Sequence, residues 1–130
     1  MNSADVREFL KTIGPAFNKY YAGKLDNKYE QSVCVYSLKS QNGRNIAIGG
    51  ADTTKTKIAN FSILIHYNTN YTETENVSKL LYENIADTKQ QLVGHYFINY
   101  IEMLSDCAID LQTDDKGVYE RLIDIKIYYN

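Results

Sequence analysis

From Tyr119 to Tyr129 the chain alternates: Tyr119, Ile123, Ile125, Ile127 and Tyr129 fall on one face of a two-residue period, and Glu120, Asp124 and Lys126 on the other. Only an extended chain has that period. An isoleucine-rich face has to be covered, so this strand requires partner strands and something packed on its apolar side. Directly before it, Asp110–Gly117 reads as an acidic, polar turn with a glycine exit, holding neither a nucleophile nor a metal-binding box. A sheet-bound terminal strand behind such a turn favours a scaffold or assembly protein over an enzyme.

The rest of the chain supplies those partners. Ser3 can cap a helix whose apolar residues Val6, Phe9, Leu10, Ile13, Phe17 and Tyr20 recur at threes and fours, with Gly14-Pro15 predicting a kink or two short helices. Ser32–Lys39 reads as a strand with Val33 and Val35 on one face and Cys34, Tyr36 and Leu38 on the other. Asn42-Gly43 predicts a tight hairpin turn, Asn45–Ile48 its returning strand, and Gly49-Gly50 the exit into a polar loop, Ala51–Thr56. Lys57–Asn68 is a long strand, with Ala59, Phe61, Ile63, Ile65 and Tyr67 opposite Asn60, Ser62, Leu64 and His66. Thr72-Glu73-Thr74-Glu75 has the form of a capping box heading a second helix with the stripe Val77, Leu80, Leu81 and Ile85, ending near Lys89. Gly94 precedes a strand over His95–Met103. The order α-β-β-β-α-β-β implies one α+β domain, residues 1–130. Its antiparallel or mixed sheet has about five strands, with both helices on one face.

Composition excludes several functions. Only Arg7, Arg44 and Arg121 are arginines and the net charge is −2, so a groove that neutralises nucleic-acid phosphates is not expected. Asp5, Arg7 and Glu8 break the pattern of a signal peptide, and no apolar run approaches the about 20 residues that cross a bilayer. The expectation is a soluble protein made in a cytosol, whose Asn60, Asn70 and Asn76 glycosylation patterns are chance matches. Cys34 and Cys107 read as two small buried hydrophobes. His66 and His95 read as surface or edge histidines, without the ligand spacing of a metal site. Ile46-Ala47-Ile48-Gly49-Gly50 lacks the lysine-serine/threonine end of a phosphate loop, and Asp110, Asp114, Asp115 and Glu120 lack the alternation of a calcium loop. Neither a metal nor a cofactor is expected. Twelve tyrosines without a tryptophan suit both sheet margins and protein–protein contact surfaces.

An ordered set of segments carries a resemblance. Glu30–Tyr36, Ile46–Gly50, Ile63–Asn68, Thr72–Glu75 and Asp110–Glu120, taken together, resemble a family of phage minor capsid proteins of low-GC Gram-positive hosts, which look like tail terminator or head–tail joining proteins. The chain departs from that pattern at Tyr67, where a tryptophan is expected, and near Ala108 and Gln112, where a proline and a glycine are expected. The resemblance implies a small subunit that forms a six-membered ring at the head-proximal end of a phage or prophage tail, monomeric or hexameric in isolation. It would stop polymerisation of the major tail protein and meet the head-completion proteins, while DNA passes through the channel without specific binding. It implies a virion component assembled in the host bacterial cytoplasm.

A closed ring needs two unlike patches on each subunit. The loops at opposite ends of the sheet are the candidates, with Asp52, Thr53 and Thr54 in one and Asp110, Asp114, Asp115 and Lys116 in the other. Two alternatives stand beside this reading: another neck component such as a head-completion adaptor, and a small-molecule binding domain with a pocket around His66, Cys34 and Tyr36.

Overall fold

The alternating C-terminal segment is the axis of the sheet. In a computed structural model, which describes residues 1–38 and 56–130, seven strands and two helices are seen. The helices are α1 (Ser3–Ile13) and α2 (Tyr71–Ala86); the strands are β1 (Lys19–Ala22), β2 (Ser32–Leu38), β3 (Lys57–His66), β4 (Lys89–Val93), β5 (Tyr96–Met103), β6 (Ile109–Thr113) and β7 (Tyr119–Tyr129). One edge of β7 pairs antiparallel with β3 along its length, from Glu120 opposite His66 to Tyr129 opposite Lys57. Its other edge is divided: β5 pairs with the C-terminal half and β6 with the N-terminal half. β2 lies beyond β3 and β4 beyond β5, both antiparallel, whereas β1 runs parallel to β2 and makes the sheet mixed.

The alternation of β7 is realised in full. Ile123, Ile125 and Ile127 are completely buried, and Phe61, Ile63 and Ile65 of β3 lie on the same face. Both helices bury their apolar sides there: Val6, Phe9 and Leu10 of α1 and Val77, Leu81 and Ile85 of α2 join one cluster with those strand residues, whereas Leu80, expected on the same stripe, is exposed. The opposite face carries cross-strand rows of a different character. Ser62 donates to Asp124 across 2.5 Å, and Lys126 faces Glu102 at 3.8 Å. Further along, Tyr100 stacks on Tyr128 with ring centroids 4.4 Å apart.

Several expectations are corrected. The first helix stops at Ile13, because proline has no amide with which to continue the ladder. The Gly14–Pro15 bond is cis, and Asn84 of α2 donates to the carbonyls of Ile13 and Gly14 that the helix end leaves free. Phe17 and Tyr20, expected on the helix, instead lie in the following turn and in β1, yet both still pack against the core. Asn2, not Ser3, caps α1, exchanging hydrogen bonds with Asp5 in a capping box. Likewise Asn70, not Thr72, caps α2, accepting from the Glu73 amide.

Three strands, β1, β4 and β6, were not expected at all. β4 and β5 form a hairpin whose turn, Gly94-His95, uses a positive φ of 59° at glycine. Ile109–Thr113 is a strand, so only the second half of the expected acidic turn is a turn. Of two neighbouring expectations, β3 holds with its end trimmed to His66, and β2 holds over Ser32–Leu38, the last described residue before the gap. The Asn42-Gly43 hairpin, the Asn45–Ile48 strand and the loop with Asp52, Thr53 and Thr54 lie outside the described residues.

Candidate interaction surface

The register of β7 sends neighbouring residues to opposite faces, and at its N-terminal end both are charged. Glu120 points to the helix-free face and meets His66, its partner on β3; Arg121 points under α2. Two polar clusters therefore flank one end of the sheet.

On the helix-free face, His66 is fully buried. Its Nδ1 lies 3.0 Å from Glu120 Oε2 and 3.8 Å from Asp114 Oδ2. The expectation of a surface histidine is overturned: the turn between β6 and β7 folds Asp114 over the end of β3, and Glu120 closes the ring from its own strand. Asp114 organises that turn, its Oδ1 accepting from the amides of Lys116 (2.9 Å) and Val118 (3.0 Å). Gly117 supplies the positive φ of 82° that the turn requires. Burial pushes the Asp114 carboxyl up, but the Val118 and Lys116 amides and the neighbouring His66 outweigh it and hold it below the usual carboxylate range.

The cluster is a structural clasp. Beside it, burial pushes the Cys34 thiol up and away from the reactive thiolate form. Cys107 is exposed, not buried as expected.

On the helix face, Arg121 is 8% exposed and lies 5.3 Å over the Tyr71 ring. Glu75 and Asp110 approach its Nη2 at 3.8 and 3.7 Å, close enough to compensate charge but too far to accept a hydrogen bond. Beside it, between α2 and the 106–108 segment, opens a cleft of about 450 Å³. It does not include His66, Cys34 or Tyr36, around which a ligand pocket was considered.

Of the candidate interface residues, Asp115 and Lys116 stand exposed at the tip of the turn. Asp110 and Asp114 are half-buried and engaged within the chain: Asp110 accepts from the Gln112 amide and flanks Arg121. Asp52, Thr53 and Thr54 lie outside the described residues. The structure also exposes a surface the sequence did not single out. At the far end of the helix-free face, Leu92 of β4 stands opposite Phe97 of β5, and Tyr100 stacks on Tyr128; Leu92, Phe97 and Tyr100 are all exposed. The tyrosine count was the one signal pointing to it. No group of metal-ligating side chains occurs among the described residues, and no described helix is long and apolar enough to cross a membrane.

The α+β domain thus holds His66 and Arg121 in polar clusters at one end of its sheet and exposes Leu92, Phe97 and Tyr100 at the other. The chain matches the family model described as bacteriophage tail terminator protein over residues 1–130. It belongs to that family. No curated protein matches it. Tail terminators are structural proteins of the phage tail, so the chain is a virion tail component, and the terminator resemblance drawn from Glu30–Tyr36, Ile46–Gly50, Ile63–Asn68, Thr72–Glu75 and Asp110–Glu120 taken together is borne out.

Proposed function

We propose that copies of this chain close into a ring, six-membered as the family resemblance implies, at the head-proximal end of the tail. The ring ends growth of the major-tail-protein tube and offers its free side to the head-completion proteins, while DNA passes through its channel. The observation that carries this reading is the terminator family match over every residue of the chain. The surface chemistry supports it. Closure by rotation needs two unlike patches per subunit, and the acidic β6–β7 hairpin and the exposed Leu92, Phe97 and Tyr100 sit at opposite ends of one sheet. A net charge of −2 suits a channel through which phosphates move without being held.

The test is direct. The purified protein is mixed with polymerising major tail protein and the tubes are measured by electron microscopy. Tubes of restricted length carrying a cap at one end are expected. Uncapped tubes growing as they do without the protein would overturn the reading, and binding to the portal complex in place of tubes would make the chain a head-completion adaptor.

A further inference from the structure

The cleft beside Arg121 has a chemistry that no part of the described chain satisfies. It is bordered by Glu75, Lys79 and Glu83 of α2 and by Asp106 and Cys107, with Arg121 at its side. Arg121 is more than nine-tenths buried, yet its Nε and Nη2 have no hydrogen-bond partner among the described residues. Buried guanidinium donors left unsatisfied are costly, so an acceptor is called for. A free anion is the wrong one: Glu75 and Asp110 already compensate the charge at 3.8 and 3.7 Å, and Glu75, Glu83 and Asp106 outnumber Lys79 along the border. A neutral acceptor that arrives with a cation fits better, and a backbone carbonyl on a lysine-bearing extended segment is such a group.

The chain itself displays one. β4 pairs only with β5, so on its outer edge no described strand takes up its backbone carbonyls. It begins at the exposed Lys89, and its Leu92 is 69% exposed, the most exposed large apolar residue described. We propose that the acidic cleft of one subunit receives the β4 edge of a second copy, with β4 carbonyls accepting from Arg121 and Lys89 facing the carboxylates of Glu75, Glu83 and Asp106. Cleft and edge are different surfaces, so the contact is head-to-tail and propagates around an axis. It rests on the ring reading above and names the surfaces that close the ring.

The native thiols provide the test, because Cys107 is exposed at the cleft and Cys34 is buried. In the full-length chain, Gln90→Cys puts a second accessible thiol on β4 without touching Lys89. A short bismaleimide is then applied to the free protein over a range of concentrations and to the protein bound on major-tail-protein tubes, with linked peptides identified by mass spectrometry. The expected product joins Cys107 of one copy to position 90 of another. Glu75→Lys with Glu83→Lys, both at exposed positions and checked for folding by circular dichroism, lowers its yield by about tenfold, one decade in an association constant being ~1.4 kcal/mol. Adding Lys89→Glu to that variant restores the yield. Absence of the Cys107–90 product in both the free and the tube-bound state, or a yield indifferent to the charge reversals, overturns the proposal. Tube capping, scored on the same samples, separates the two readings: capped tubes without the product leave the terminator role standing and dispose of this contact alone.

Discussion

Gln112 occupies a position made for another residue. Its φ is 67°, in the left-handed region where a side chain crowds its own carbonyl. Gln112→Gly relieves about 1–2 kcal/mol of that crowding against about 0.5–1 kcal/mol of added chain entropy. A net gain of about 0.5–1 kcal/mol is expected, read as a higher urea midpoint with an unchanged slope. Tyr128 gives a second residue-scale signature. Burial first, then the neighbouring Tyr100 phenol and the charge of Glu102, to which Tyr128 donates, push its phenol up to about 12. The native form therefore favours the protonated phenol, and its contribution to stability is complete below the ordinary value near pH 10. That contribution falls away as pH rises towards about 12. Ultraviolet titration of the native protein should show a late-ionising tyrosine that Tyr128→Phe removes; an unchanged titration curve would refute the assignment.

Helix starts separate two kinds of local signal. Thr72-Glu73-Thr74-Glu75 has the spacing of a capping box, but the cap that forms is Asn70, two residues earlier, with Asn68 accepting from the Asn70 amide. Asn70→Ala is expected to cost about 1 kcal/mol, while exposed Thr72→Ala stays within about 0.5 kcal/mol; equal effects in thermal melts would restore Thr72 as the cap. The β6–β7 turn makes the corresponding test for a loop. Asp114 is held ionised by two turn amides and His66 in spite of its burial, so its folded value lies below its unfolded one. It contributes stability above pH ~4 that is lost as pH falls through the lower native value. Asp114→Asn should flatten the acid limb of a stability–pH curve, and an unaltered limb would show the clasp to be without effect.

The sheet and its helices share a single apolar cluster, so damage at its centre is felt by the whole molecule. Ile125 of β7 is completely buried in the apolar cluster that the sheet shares with both helices, and Ile125→Ala should cost about 2–5 kcal/mol in one cooperative transition. Leu92→Ala, at the most exposed large apolar position, should leave stability within about 0.5 kcal/mol, so any loss of association it causes belongs to the surface and not to folding. Unchanged stability in Ile125→Ala would contradict the placement of the core. The two ends of the sheet thereby divide the work. One is closed by the His66 clasp and the Arg121 cluster, and the other is left apolar and open.

Where a segment's own period and burial agree, the sequence was sufficient: β7, β3, β2, the inner stripe of α2 and the two-helix α+β class were all legible, because alternation and 3.6-residue spacing are properties of a single stretch of chain. β1, β4 and β6 were not, since each is only four or five residues long, too short for a pattern to stand out, and a stretch such as Lys89-Gln90-Gln91 becomes a strand only by lying beside β5. His66 shows the same divide at one side chain. Its strand position was readable, but its burial is set by Asp114 and Glu120, dozens of residues away, and no local pattern records which distant carboxylates a fold will bring to a ring nitrogen. The identity of a long, patterned strand is a matter of nearest neighbours along the chain. The clasp, the cleft at Arg121 and the mixed order of the sheet are matters of neighbours in space, which packing alone decides.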